Sequence, residues 1–202
     1  MVIESVSADK KTVNPAGLAF FSAQSAAELR TAAQGIGMLR VTCFLSSLDE
    51  VQAVRADVTT AFPAAAADFV QLTRLGVQPL VACEAVGRLE KSPAQNIELT
   101  GVVALTSRPK LVFTGLQIAF RDQDADIRLA YERLGKALES QGATFHDVIF
   151  SSTYSLNRSV AAKAAALRPD FLEGGRPPGT AQVFEGLPSL DATMAFEVLA
   201  AK

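Results

Sequence analysis

The chain has 202 residues, 49% of them hydrophobic, and its 19 basic and 21 acidic side chains leave a net charge of −2. This composition suits one or two domains with ordinary cores. The balanced charge argues against nucleic-acid binding, which needs a concentrated basic face. No apolar run approaches the roughly 18 residues of a membrane span, and the N-terminal residues lack a basic start and an apolar signal core. We therefore expect a cytoplasmic protein without membrane association.

The first half of the chain predicts a hairpin around the turn sequence at Asn14, followed by alternating helices and strands. The polar, proline-containing stretch 90–96 has no periodicity, and we place the domain boundary there. In chain order, the predicted elements are hairpin strands at 2–7 and 17–24, a short helix at 25–35, a strand at 39–46, a helix ending before Pro63, and strands at 68–75 and 79–88.

The second half predicts the same order of elements with a longer first helix. Ile127, Tyr131, Leu134 and Leu138 repeat at helical spacing, and Gly142 ends that helix. The other predicted elements are strands over 97–106 and 111–120, a strand at 147–155, a helix at 159–168, a Gly/Pro loop at 174–179, and strands at 180–186 and 193–200. Each half therefore predicts an α+β fold, in which a mixed sheet carries helices on one face.

A repeat in the sequence accompanies this repeated order of elements. Thr42 precedes Ser152 by 110 positions, and Glu84 precedes Glu197 by 113. Such spacing indicates a duplicated domain rather than a solenoid, whose repeats are roughly 20–50 residues long. We therefore predict two related modules, over residues 1–90 and 97–202. The sheet face that the helices leave open must pack against a partner.

The residues to consider as metal ligands are Cys43, Cys83 and His146. Both cysteines lie in apolar strand-like segments, and we predict buried thiols rather than a disulfide. Two thiols and one histidine do not make a metal-ligand set. Phosphate-binding loops and a Ser-His-Asp order are absent from the sequence as well. The sequence therefore predicts neither a metal nor a cofactor.

Several stretches resemble the RidA (YjgF-type) family, also labelled endoribonuclease L-PSP, whose fold is an α+β fold similar to that of chorismate mutase. In the second half these are Val112-Phe-Thr-Gly-Leu-Gln117, Gly142-Ala-Thr-Phe-His-Asp-Val-Ile149, Gly175-Arg-Pro-Pro-Gly-Thr180, Glu185-Gly-Leu-Pro188 and Phe196-Glu-Val-Leu-Ala-Ala201. In the first half they are Phe20-Phe-Ser-Ala-Gln24 and Cys83-Glu-Ala-Val86. The resemblance covers most of 97–202, and 17–88 in a degraded form with a shortened first helix.

The resemblance implies a homotrimer with small-molecule clefts between modules, and hydrolysis of enamines and imines made by pyridoxal-phosphate enzymes. In the family an arginine holds the substrate carboxylate, because a partly dry cleft calls for a two-pronged charged donor. That position corresponds to Gly179 and Ala67 here, and the family's water-positioning glutamate corresponds to Ala195 and Ala82. Ordinary RidA-type deamination is therefore not expected of either module.

The resemblance also suggests residues that would bind a small carboxylate-containing metabolite. Arg176 lies three positions before Gly179, and a flexible loop would bring it to the cleft. Arg55 stands where the family often has an asparagine. Glu84 and Glu197 match a structural carboxylate of the family, which favours a hydrogen-bonding role at an interface. The candidate ligand-binding residues are Arg176, Gly179, Thr180, Gln117, Tyr154 and Arg55.

Three functions follow from these expectations. The leading one is a RidA-like protein that binds a small metabolite, or serves in a trimeric assembly, without standard deaminase activity and with no assigned catalytic residue. The alternative is an enamine or imine deaminase, or a related hydrolase, that uses a relocated arginine. The third is RNA cleavage, which the family's older label suggests and which the charge balance and the single histidine disfavour.

Overall fold

A computed structural model of the chain describes residues 3–5, 11–13, 16–72, 81–172, 177–184 and 191–202. Its internal contacts divide the chain into two compact units, unit 1 from Met1 to Pro109 and unit 2 from Lys110 to Lys202. Within the described part of the chain, no helix is long and apolar enough to cross a membrane.

Unit 1 contains a six-stranded sheet with two helices. The sheet has the order β5-β4-β6-β3-β8-β7, in which β4 and β5 are parallel and the other neighbours antiparallel. The elements are β1 (Ile3–Ser5), β2 (Lys11–Val13), β3 (Gly17–Ala23), α1 (Ala26–Ala32), β4 (Gly37–Leu45), α2 (Val51–Ala61), β5 (Ala66–Gln71), β6 (Val81–Leu89), β7 (Ile97–Thr100) and β8 (Val103–Thr106); β1 and β2 form a separate hairpin.

Unit 2 contains a five-stranded sheet with two helices. Four strands form the path β10-β13-β11-β12, and β9 pairs with β13 as β10 does. Strands β11 and β12 are parallel, and the other pairs are antiparallel. The elements are β9 (Leu111–Phe113), β10 (Gln117–Phe120), α3 (Asp124–Ser140), β11 (Val148–Ser155), α4 (Arg158–Leu167), β12 (Gly179–Val183) and β13 (Ala192–Ala201).

Alternation along the strands gives each sheet a helix-covered face and an open face, which lacks helices. In unit 2, Phe196 and Val198 of β13 join one core cluster with Ile127 of α3 and Val160 of α4. In unit 1, Val41 and Cys43 join a cluster with Leu29 of α1 and Val58 of α2. The predicted fold class, a mixed sheet with helices on one face, is therefore confirmed in both units.

The two sheets share the core path in which the parallel pair stands at one edge and the last long strand lies inside. Thr42 pairs with Glu84 in unit 1, as Ser152 pairs with Glu197 in unit 2. These four residues are the ones whose spacing indicated a repeat in the sequence. The common strand order agrees with a duplication, and the duplication itself stays a prediction.

The boundary between the units lies further along the chain than the stretch 90–96. Strands β7 and β8, over Ile97–Thr106, extend the sheet of unit 1, because β8 pairs with β3 along Leu18↔Thr106 to Phe21↔Val103. The predicted second module over 97–202 therefore begins too early, and the first, over 1–90, ends too soon. A polar connection inside one sheet has the same composition as a linker between domains, and only the strand pairing distinguishes them.

The prediction of free thiols is wrong, because Cys43 and Cys83 form a disulfide. They stand directly opposite each other on β4 and β6, with Cα atoms 4.1 Å apart, and both are fully buried. Adjacent antiparallel strands bring directly opposed side chains within bonding distance. The two cysteines are separated by 40 positions in sequence, and the sequence did not indicate the register in which their strands pair.

Candidate functional site

Gly179 opens β12, at the position where the sequence lacks the family arginine. It pairs with Ser151 of the parallel strand β11. A Cβ atom at Gly179 would overlap both the carbonyl oxygen and the Oγ of Ser151. No side chain fits there without a backbone shift, because β12 packs closely on β11 at this position.

Arg168 brings a guanidinium to this same place from the end of α4. Its Nη2 donates to Ser151 Oγ at 3.0 Å and to the carbonyl oxygen of Pro177 at 2.7 Å. Ser151 is the strand partner of Gly179, and Pro177 lies two residues before it. A guanidinium therefore lies beside Gly179, which the sequence analysis did not anticipate, and the loss of the family arginine stays a prediction.

The surroundings of Arg168 are aromatic and largely buried. Tyr131 of α3 stacks on Phe171 with ring centroids 4.6 Å apart and packs against Phe196 at 4.4 Å. Burial raises the pKa of the Tyr131 phenol to about 12, and the positive charge of Arg168 opposes part of that rise. Arg168 bonds to Ser151, which lies on the helix-covered face because it pairs with Val198 of the core cluster.

The open face of the same strands carries a second polar group. Tyr154 donates its hydroxyl to Glu197 Oε1 at 2.6 Å, and its ring meets Phe184 edge-on at 5.4 Å. Glu197 stands opposite Ser152, which lies two residues before Tyr154 on the same face of β11. The resemblance favours a hydrogen bond of this glutamate at an interface, and the bond that it makes to Tyr154 lies inside its own sheet.

Strand β12 adds Thr180 and Gln182 to the open face. Thr180 pairs with Ser152 and Gln182 with Tyr154, so these four side chains lie on the same side of the sheet. Thr180 is 7% exposed and Gln182 3%. Neither the Nε2 nor the Oε1 atom of Gln182 has a hydrogen-bond partner.

The structure brings together only part of the predicted ligand-binding set. Thr180 and Tyr154 share the open face, whereas Gly179 lies on the helix-covered face. Gln117 pairs with Phe196 and therefore also belongs to the helix-covered face, away from Tyr154. Where these residues lie follows from strand register, which the sequence did not specify.

The two predicted arginines do not join this set. Arg55 belongs to unit 1, where its guanidinium lies over the ring of Phe69 at 4.9 Å from the centroid. That contact is a cation–π interaction on an exposed helix and accounts for the side chain without a ligand. Arg176 falls outside the residues that the structure describes. Reasoning from the sequence missed Arg168. Its place at the end of a helix, before Pro169, did not distinguish it from a surface residue.

Unit 1 has different residues at the positions equivalent to this site. Ala67 pairs with Val41, as Gly179 pairs with Ser151, and Phe44 pairs with Val70, as Tyr154 pairs with Gln182. The Ser151 hydroxyl, the Gln182 amide and the Tyr154 phenol are thus replaced by apolar side chains, whereas Thr42 and Asp68 stand at the positions of Ser152 and Thr180. The amide and the phenol are therefore specific to unit 2, and the other polar positions of the open face are polar in both units.

Two further observations limit what the site can be. Among the residues described, no group of three or more His, Cys, Asp or Glu side chains could hold a metal ion. An open depression lies at another part of unit 2, lined by Phe120, Arg121, Leu156, Asp191, Ala192 and Thr193. It contains none of the predicted site residues, and Arg121 is already paired with Asp126 at 2.9 Å.

Comparison with known proteins finds similarity to solved structures alone. No known family model matches the chain, and no curated protein matches it. A protein of the Rid family, YyfB from Yersinia pestis, is similar with a TM-score of 0.46 and 20% identity, over 54% of this chain and 100% of that one. A YjgF/YER057c/UK114 family member from Mycobacterium tuberculosis is similar with a TM-score of 0.43 and 22% identity, over 46% and 79%.

RidA from an Antarctic Psychrobacter is similar at 17% identity and a TM-score of 0.43, over 55% of this chain and 94% of that one. The family names of these structures are the ones that the sequence motifs resemble. Each similarity extends over about half of the present chain and concerns the fold.

Proposed function

We propose that the chain is a RidA-like protein whose unit 2 binds a small carboxylate-containing metabolite at Arg168. The observation that carries the proposal is the guanidinium held by Ser151 and Pro177 beside Gly179. A guanidinium fixed in a half-buried position is the group best suited to bind a carboxylate, because its planar N–H donors match the two carboxylate oxygens.

Binding is favoured over hydrolysis by the position of Glu197. Glu197 lies on the open face with Tyr154, whereas Arg168 bonds to Ser151 on the helix-covered face. Side chains on opposite faces of one sheet cannot act on the same small molecule. The family position of the water-positioning glutamate is Ala195, which pairs with Tyr154 and has no acidic group.

The proposal is tested by titrating pyruvate, a 2-keto acid, into the full chain and following binding by calorimetry and thermal shift. We expect saturable stabilisation by pyruvate and a loss of affinity of at least about tenfold in Arg168→Ala, since removing a charged hydrogen-bonding partner commonly costs 2–5 kcal/mol or so. Arg168→Lys keeps the charge and should retain part of the affinity.

Arg55→Ala is the matched control, because Arg55 sits on the equivalent helix of unit 1 over an aromatic ring. This variant should bind pyruvate as the unaltered chain does. Circular dichroism of each variant checks that the fold is kept. Equal pyruvate affinity in Arg168→Ala and in the unaltered chain, with both folded, would refute the assignment of Arg168.

A deaminase remains the second candidate, because Arg168 is itself a relocated arginine. If the chain has this activity, it accelerates the decay of 2-aminoacrylate or 2-iminopropanoate, and Arg168→Ala abolishes the acceleration. If the chain binds without hydrolysis, micromolar protein leaves the decay rate unchanged. The same decay assay therefore separates the two functions.

We also propose that the chain assembles as a homotrimer, as first expected from the resemblance. Support comes from apolar side chains exposed at the β9–β10 edge of unit 2, where Phe113 is 75% exposed, Phe120 42% and Leu116, between the strands, 40%. Large exposed apolar groups grouped along one edge mark association surfaces. Light scattering should give three times the chain mass of 21.3 kDa; a stable monomer contradicts this part of the proposal.

The expected cytoplasmic location is now opposed by the Cys43–Cys83 disulfide. Disulfides persist mainly in oxidising compartments and are rare in the cytosol of most organisms. We keep the cytoplasm as the location to be tested, by trapping free thiols with a maleimide at the moment of cell lysis. Labelling of both cysteines supports a reducing compartment, and labelling only after reduction contradicts it.

A further inference from the structure

The side-chain amide of Gln182 is a buried polar group with no partner. Gln182 is 3% exposed, and both its Nε2 and its Oε1 lack hydrogen bonds. Most buried polar side-chain atoms in folded proteins are hydrogen-bonded, because an unpaired buried amide loses its bonds to water without replacement. An amide with two unpaired ends therefore needs a specific explanation.

The neighbours of Gln182 form a polar surface around it. Tyr154 is its strand partner, Thr180 lies two residues before it on the same face, and Ser152 pairs with Thr180. Glu197 accepts the Tyr154 hydroxyl at 2.6 Å. Tyr154 and Glu197 are only half-buried, so the cluster is closed at Gln182 and open at the tyrosine–glutamate pair.

Two of the five side chains of this polar surface, Gln182 and Tyr154, have apolar counterparts in unit 1. Unit 1 has the same parallel pair of strands, and there Val70 and Phe44 stand at the positions of Gln182 and Tyr154. A sheet of this order therefore forms with apolar residues at these positions. The amide of Gln182 and the phenol of Tyr154 are therefore specific to unit 2, whereas the counterparts of Ser152, Thr180 and Glu197 in unit 1 are Thr42, Asp68 and Glu84.

We infer that the open face of β11, β12 and β13 in unit 2 is a second ligand site, for a neutral small molecule with a carboxamide group. Gln182 offers one carbonyl acceptor and one amino donor group, which pair with the N–H and C=O of another amide. The carboxylate of Glu197 disfavours anionic ligands by like-charge repulsion. This site is distinct from the place of Arg168, which lies on the opposite face and favours anions.

The test uses propionamide and propionate, which differ in charge at nearly the same shape, with the full chain. Ligand-observed NMR and thermal shift should detect saturable binding of propionamide to this face. Gln182→Leu keeps the approximate volume and removes the amide. We expect this variant to bind propionamide at least about tenfold more weakly, because one or two hydrogen bonds are lost. We also expect its melting temperature without ligand to be higher.

Gln52→Leu, at an exposed position on α2, is the control and should change neither quantity. Glu197→Gln should admit propionate, which the unaltered chain binds more weakly than propionamide. Pyruvate binding should be unaffected by Gln182→Leu, so failure here and failure of the Arg168 proposal are separable. The inference is overturned if propionamide does not bind, if Gln182→Leu binds it equally well, or if Gln182→Leu lowers the melting temperature.

Discussion

Unit 1 and unit 2 share the core strand order and tie their central strands together by different means. Cys43 and Cys83 of unit 1 pair across β4 and β6, whereas the equivalent pair in unit 2 is Thr153 and Phe196. Unit 1 closes this position with a disulfide. Unit 2 fills it with Phe196, which packs against Tyr131. One place in a common fold therefore accepts a covalent link or an aromatic core.

The lengths of the first helices explain the difference. Helix α1 has 7 residues and buries Leu29, whereas α3 has 17 residues and buries five, Tyr131 among them. A short helix covers little of the sheet, and small cores commonly need a covalent staple to reach useful stability. The long helix supplies enough apolar area and leaves the strand pair free to carry a large side chain.

The largest expected effect is in the aromatic core of unit 2. Phe196→Ala should lower the free energy of unfolding of this unit by about 3–5 kcal/mol, because it removes a buried ring and leaves a cavity. Urea denaturation measures the change, and hydrogen exchange assigns it to unit 2. Leu129→Ala, at a position 47% exposed on α3, is the control and should stay within about 0.5 kcal/mol. Equal losses for the two variants would show that the stack does not hold the unit together.

The disulfide of unit 1 should contribute somewhat less. Replacing both Cys43 and Cys83 by alanine should lower the stability of unit 1 by about 2–4 kcal/mol, because the cross-link restricts the unfolded chain. Hydrogen exchange of amides in β4 and β6 measures the loss. A thiol reductant should reproduce it in the unaltered chain and have no effect on the double variant. Unchanged exchange after reduction would contradict a stabilising role.

The smallest effect is a pH dependence confined to unit 2, since both tyrosines of the chain lie there. The pKa of Tyr131 is raised from 10.0 to about 12. Below pH 10 the phenol is neutral whether the chain is folded or unfolded. Between pH 10 and 12 only the unfolded chain loses the proton readily, so stability falls as pH rises, by up to about 1.4 kcal/mol per pH unit.

Urea midpoints at pH 9 and pH 11.5 measure this loss, and Tyr131→Phe should reduce it. The alkaline loss that remains in Tyr131→Phe comes from other groups. If the variant and the unaltered chain lose equal stability, the phenol is not held neutral in the folded state.

The sequence by itself determined much of the alternation of helices and strands. The predicted hairpin of strands 2–7 and 17–24 is wrong, because Ile3–Ser5 pairs with Lys11–Val13 and Gly17–Ala23 pairs with β6 and β8. Hydrophobic periodicity placed a strand at 39–46 and a helix at 159–168, where the structure has Gly37–Leu45 and Arg158–Leu167. The spacing of Thr42, Ser152, Glu84 and Glu197 marked residues that form equivalent cross-strand pairs. These features depend on local patterns along the chain, which a reading of the sequence can follow.

Tertiary structure alone decided which residues meet. The register of β4 and β6 joined Cys43 to Cys83, and the pairing of β8 with β3 gave Ile97–Thr106 to unit 1. The turn at the end of α4 carried Arg168 to Gly179, and alternation on β12 separated that arginine from Gln182. Each outcome depends on long-range strand register, and a shift of one residue would move every side chain of a strand to the other face.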